Sequence, residues 1–219
     1  WLLMLGYSYQ LYFDFAGYSN MAVGLGHLFG MHIPQNFNSP YQALNPSDFW
    51  RRWHISLSRC LRDYLYIPLG GNRAGPEWKT YRNLMITMLL GGLWHGASWT
   101  FVVWGAYHGA LLSAYRRWPA VWDAQPIWAQ RTFTFILAIF GWTLFRAPTW
   151  ADATALFSRL LWPHAGNVMT GAPVLLALCV IAGALSHFGP NTFEIRHQWR
   201  PATAFGMAFL LMLCLAAIY

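Results

Sequence analysis

The long charge-free stretches of this chain limit its fold more than any other feature. Residues 15–47, 83–115, 160–193 and 201–219 contain no Asp, Glu, Lys or Arg. Each could hold the roughly 20 apolar residues of a bilayer-crossing helix. Only 10% of the 219 residues are charged and 57% are hydrophobic, against about a quarter charged in an ordinary soluble domain. A water-soluble domain is therefore not the expectation. The net charge of +7 does not point to nucleic acid, because seven of the fourteen Lys and Arg fall between Arg51 and Arg82. In a membrane protein such a cluster marks the cytoplasmic side, and membrane lipids with anionic headgroups are the expected partner.

The pattern predicts an all-α, polytopic membrane protein of about five transmembrane helices in a single domain, residues 1–219. The expected spans are residues 1–31, 83–115, 126–146, 168–188 and 203–219. Asp14, near the middle of the first, costs about 2.5 to 3.5 kcal/mol on insertion scales and should face protein or a water-filled cavity. "HIPQNFNSPYQALNPSD", with three prolines and several Asn, makes an ordered loop. Over residues 49–65, at about 100° per residue, Phe49, Trp50, Trp53, His54, Leu57, Cys60, Leu61, Tyr64 and Leu65 share one arc. Arg51, Arg52, Arg59, Arg62 and Asp63 fill the other side. This predicts one basic amphipathic helix lying in the membrane interface, with His54 on its apolar face. The chain opens on Trp1 inside an apolar run, so an N-terminal part is expected ahead of it.

His95 and His108 stand out within "LLGGLWHGASWTFVVWGAYHG". On a continuous helix, Gly91 and Gly92 lie one turn before His95 and Ser98 and Trp99 one turn after it. Gly92 and Gly96 could pack against a neighbouring helix with His95 as interfacial glue. Alternatively, His95 marks a reaction site, as intramembrane ionisable groups often do. Burial disfavours the imidazolium, so a buried His95 would sit neutral, able to accept a proton from a hydroxyl. Trp94, Ser98 and Trp99 offer N–H or O–H donors for a developing oxyanion, or simple packing. His108 lies thirteen residues on, roughly 20 Å along a continuous helix and about 220° around it. The two rings are then not expected to share a site, and Gly105 and Gly109 suggest packing for His108.

Other signals are weak. "GLGHLFG" imitates a dinucleotide loop without a preceding strand, and HExxH, GxSxG and P-loop patterns do not occur. Cys60, Cys179 and Cys214 have no metal-ligand spacing and are taken as small hydrophobes, so no metal is assigned. His95 and His108 as haem ligands would need a matching pair, which neither His27 with His32 nor His187 with His197 supplies. A quinone protein, or a passive transporter lined by Asp14 and the histidines, completes the alternatives outside enzymes.

"YFDFAGYSNMAVGLGHLFG", "IPQNFNSPY", "DFWRRWHISLSRCLRDYLYIPLGGNR" and "GGLWHGASWTFVVWGAYHG" together resemble the membrane-bound O-acyltransferase superfamily, most closely its bacterial branch of alginate O-acetyltransferase type. The resemblance covers about residues 8–117, with 118–219 as a hydrophobic C-terminal tail, and family members extend further at the N-terminus. It implies a multi-helix fold around a tunnel across the bacterial inner membrane. His95, in the WHG motif, would be catalytic at the tunnel's centre. His54, in the RWH motif, would be the second functional histidine. Asp14, Trp50 and Trp94 also stand at motif positions.

The implied reaction carries an acyl group, expected to be acetyl, from a cytoplasmic thioester such as acetyl-CoA to an extracytoplasmic hydroxyl. The acceptor would be an exopolysaccharide, reached directly or through an extracytoplasmic acyltransferase partner protein, with no bound cofactor. A D-alanyl transferase of teichoic acid modification shares both histidine motifs and is the alternative within the class.

Overall fold

Residues 1–73, 75–162, 170–195 and 200–216 are described by a computed structural model, with side chains through residue 213. Every regular element among them is helical. In chain order these are α1 (Leu2–Leu28), α2 (Pro46–Arg52), α3 (Ile55–Leu61), α4 (Glu77–His95), α5 (Trp99–Arg117), α6 (Pro119–Asp123), α7 (Ile127–Arg146), α8 (Trp150–Leu161), α9 (Ala172–Phe188) and α10 (Pro201–Ala216). Trp1–Gly189 form one compact unit and Pro190–Tyr219 a second. The second holds α10, preceded by a turn in which the Glu194 carboxylate accepts from Asn191 N at 2.8 Å. His197, the Cys214 side chain, and residues 168–169 and 217–219 of two expected spans lie outside the described residues.

The all-helical expectation holds, but not the five spans as drawn. Among the described residues, no helix is long and apolar enough to cross a membrane. α1 has the length, 27 residues, but Gln10, Asp14, Asn20 and several Ser and Tyr dilute it. α4 opens with Glu77, Lys79 and Arg82. α9 and α10 are apolar, yet their 17 and 16 residues reach only about 25 Å at 1.5 Å per residue.

The expected span 83–115 is two helices. α4 stops at His95, Gly96 takes φ 158°, and the chain folds back into α5 after Ser98. The contacts run antiparallel: a Cβ on Gly92 would meet the Phe101 carbonyl oxygen, one on Gly105 the Met88 carbonyl oxygen, and one on Gly109 Met85 Sδ at 2.9 Å. Of the glycines read as helix–helix packing, Gly92, Gly105 and Gly109 do pack, but between the two halves of the same stretch, whereas Gly96 ends α4 and is not a packing residue of a helix. Ser98 accepts from Thr100 N at 3.3 Å and caps α5.

The predicted amphipathic helix 49–65 is also broken, into α2, α3 and a π-helical turn, Arg62–Tyr66. Asn45 accepts from Asp48 N at 2.8 Å and Pro46 sits at the first position, which starts α2. Asp48 in turn accepts from Leu44 N at 3.1 Å and from Arg52 Nε at 2.9 Å. His54 then adopts a left-handed backbone, φ 45°, and α3 leaves in a new direction. The loop residues Asn38 and Asn36 bond Arg52 O and Ile55 N at 2.9 and 2.8 Å. Local periodicity did not anticipate these long-range bonds. Phe49 and Trp53 of the predicted apolar arc are core residues beside Trp142, Tyr41 and Phe37, whereas Tyr64 is exposed.

Replacing Gly105 with Ala pushes a methyl group into a backbone carbonyl, and overpacking of this kind costs about 1–3 kcal/mol. Gly24 in α1 has nothing within 4 Å of its Cβ position. Thermal unfolding in detergent is expected to show a clear loss of stability for Gly105→Ala and none, or a small gain, for Gly24→Ala.

Candidate active site

His95 is the last residue of α4 and is half-buried. Aromatic rings surround it: Trp94 at 5.0 Å, Trp104 at 5.2 Å, Phe145 at 5.0 Å and Phe101 at 6.0 Å between centroids. The helix break is what allows this. Phe101 and Trp104 come back from α5 and Phe145 arrives from α7, so residues remote on a straight helix share the histidine. A pocket of rings with few dipoles favours an uncharged imidazole.

His54 sits at the kink between α2 and α3. The Phe15 ring of α1 meets it edge-on at 4.8 Å, and Phe37 lies parallel at 6.4 Å. Its Nδ1 lies 3.1 Å from Asn36 Oδ1. Burial, with the electrostatic opposition of His95, lowers its pKa from the ordinary 6.5 to about 4. The two motif histidines, 41 residues apart in sequence, stand at two ends of one chain of ring contacts that runs through Phe37, Trp53, Trp142 and Phe145.

Trp104, 2% exposed, joins the remaining pieces. It touches His95, Trp50 at 5.7 Å and His108 at 4.8 Å. The expectation that His95 and His108 are separated by a helix length is therefore wrong. They pack against the same indole because α4 and α5 fold together. His108 itself is 3% exposed, with Trp50 edge-on at 5.1 Å. Its Nε2 has no partner among the described residues and lies 2.6 Å from where a Gly141 Cβ would stand. This ring is walled in, which fits packing and leaves a porphyrin iron no approach.

The other predicted residues are dispersed. Trp50 Nε1 is buried without a partner among the described residues, and Trp50 lines a cavity of about 540 Å³ with Arg51, Arg59, Arg62, Ser58 and Tyr66. Trp94 and Trp99 are exposed; only Trp94 touches His95. The Ser98 hydroxyl is engaged at the start of α5, 2.9 Å from Thr100 Oγ1. Asp14 is exposed, makes no ion pair among the described residues, and lines neither cavity described here. Its expected protein-facing position is not met within this chain, although its neighbour Phe15 reaches His54. A larger groove of about 900 Å³ between α1, α8 and α9 holds none of the histidines.

Sequence reasoning passed over Trp104, Phe145 and Asn36. Trp104 lies four residues before His108, one helical turn, and that spacing was the available signal. Asn36 lies within the stretch "IPQNFNSPY", which marked the segment but not the residue, and Phe145 carries no local signal, because its contacts are made across the fold.

A helical chain that gathers an RWH and a WHG histidine beside one aromatic cluster matches the class expected of an acyl-transfer membrane family. Residues 1–149 match the membrane-bound O-acyltransferase family, and the chain belongs to it. It is 54% identical, over 83% of its length, to a probable alginate O-acetylase of Azotobacter vinelandii, covering 38% of that protein. It is 52% identical, over 90% of its length, to the peptidoglycan O-acetyltransferase of Helicobacter pylori, covering 35% of it. Identity to the teichoic acid D-alanyltransferase of Bacillus subtilis is 37% over 63% of the chain, covering 36% of that protein. The chain spans less than two fifths of the length of each of these relatives.

The lowered pKa of His54 has a consequence for stability. Between pH 6.5 and about 4 the folded ring stays neutral while the unfolded chain takes up a proton. The contribution is therefore complete above the unfolded value and is lost as pH falls through this window. Unfolding temperatures measured from pH 7 to 4 should fall, and less steeply in His54→Gln. Equal slopes in the two proteins would remove His54 as a source of the dependence.

Proposed function

We propose that this chain carries the catalytic centre of an O-acyltransferase of the bacterial inner membrane, which moves an acetyl group from a cytoplasmic thioester to a hydroxyl of an extracytoplasmic polysaccharide. The observation that carries the reading is His95, half-buried at a helix end among four rings and joined to His54 by the chain of ring contacts. A neutral imidazole in such surroundings is equipped to act as a general base.

In the reaction, a ring nitrogen of His95 takes the proton of the acceptor hydroxyl as its oxygen attacks the thioester carbonyl. The tetrahedral intermediate collapses, the C–S bond breaks, and the imidazolium returns the proton to the departing thiolate. The surrounding rings exclude water, which would otherwise hydrolyse the thioester. His54 helps to position the donor. The arginine-lined cavity beside Trp50 suits the phosphates of an anionic donor such as acetyl-CoA. The acetyl group reaches the polymer directly or by way of an extracytoplasmic acyltransferase partner.

The distribution of polarity supports a lipid setting. Ser8, Thr87, Thr134 and Thr143 are buried, each donating to the carbonyl four residues earlier, as hydroxyls in membrane helices do. Outside, Leu25, Leu28, Val174, Leu178, Ile181 and Leu185 are all more than half exposed. Polar groups turned inward and large apolar ones outward suit hydrocarbon better than water.

The test is transfer of labelled acetyl from acetyl-CoA to extracellular polymer by the full-length protein with its partner proteins. His95→Ala is expected to lower the rate at least 10²-fold, the lower end of what a general base contributes. Undiminished transfer would exclude His95 as the base. Transfer of D-alanine instead of acetyl would place the protein with the teichoic acid enzymes.

A further inference from the structure

Asn36, in the loop after α1, makes a set of bonds that the roles above do not use. Its backbone carbonyl accepts from Ile55 N at 2.8 Å. Its side-chain Oδ1 accepts from Ser56 N at 3.1 Å and from Ser56 Oγ at 3.0 Å. Its Nδ2 donates to Ser19 Oγ of α1 at 3.3 Å. The first two bonds satisfy N–H groups at the start of α3, whose own first flanking residue, His54, supplies no side-chain cap.

These bonds also fix the chemistry of the adjacent ring. A backbone N–H can only donate, so the Asn36 atom facing Ser56 N is an oxygen, and the amide orientation follows from the network. That same oxygen lies 3.1 Å from His54 Nδ1. An oxygen acceptor requires Nδ1 to carry the proton. Ser56 Oγ lies 3.4 Å from Nδ1, but its proton is committed to Asn36. A neutral imidazole bears one N–H, which leaves His54 Nε2 with its lone pair free.

We propose that Asn36 is a positioning residue of the acyl-transfer site: it holds His54 as the Nδ1–H tautomer, so that Nε2 is an acceptor for an N–H or O–H group of a substrate. The proposal rests on the reading of His54 as functional. The low pKa of His54 keeps the ring neutral near pH 7, so one tautomer can persist there. The left-handed backbone of His54 is uncommon for a residue with a side chain, and the bonds from Asn36 to the next two residues hold it in that state. The tie to Ser19 anchors the arrangement to α1.

Nitrogen-15 NMR of the histidine rings in full-length, lipid-reconstituted protein at pH 7 tests this, with the His54 signals assigned by their loss in His54→Gln. The expected spectrum has a protonated Nδ1 and an unprotonated Nε2. A protonated Nε2 in the native protein would overturn the proposal, whatever any variant does. Asn36→Asp retains the oxygen and is expected to keep Nδ1 protonated. Asn36→Ala should release the ring toward the Nε2–H form and lower acetyl transfer at least about tenfold, the effect of losing one hydrogen bond to the substrate. Lost transfer with the tautomer unchanged would assign Asn36 to capping α3 alone and overturn the proposal. Full transfer by His54→Gln would instead remove the functional reading of His54, a result distinguishable from any change in the spectrum.

Discussion

The close approach of α4 and α5 is the constraint on which the rest depends. Their backbones come near enough that side chains at Gly92 and Gly105 would strike main-chain carbonyls of the partner helix. Only residues without a Cβ permit that separation. Because the helices lie so close, Trp104 reaches His95 across the pair while it touches His108 one turn along its own helix. Without the turn at Gly96, His95 would sit mid-helix and face whatever neighbour the bilayer supplied. With it, the histidine ends a helix and receives three rings from beyond the break.

A second tie brings the other histidine to the same region. The segment around Asn36 and Asn38 bonds the backbone on both sides of His54, which kinks a stretch that would otherwise run on as one helix. Trp53 is thereby turned into the core against Trp142 at 4.6 Å, while Arg51, Arg59 and Arg62 stay at the rim of a cavity. Apolar burial and long-range hydrogen bonding are coupled here: the kink places the indole inside, and the buried indole holds the kink.

Much of this was legible in the sequence. Charge-free runs announced helices, and the helical content followed, although no described helix is long and apolar enough to cross a membrane. His54 and His95 were singled out by motif, and in the structure a chain of ring contacts through Phe37, Trp53, Trp142 and Phe145 joins them. Gly92, Gly105 and Gly109 were recognised as packing residues. The placement of His108 failed, because its distance from His95 was measured along a helix that does not continue. The amphipathic arc over residues 49–65 correctly separated Phe49 and Trp53 from the arginines, but periodicity carries no information about a bond from Asn36 eighteen residues before His54.

The sequence by itself determined where helices are favoured, which positions lack a side chain, and which ionisable groups interrupt apolar runs, since these are properties of a residue and its near neighbours. The tertiary structure decided that residues 83–115 double back, that Trp104 packs against both His95 and His108, and that Asp14 is exposed. Those outcomes depend on which backbone surfaces can meet and on donors and acceptors far apart in the chain. A pattern read one turn at a time does not contain that information.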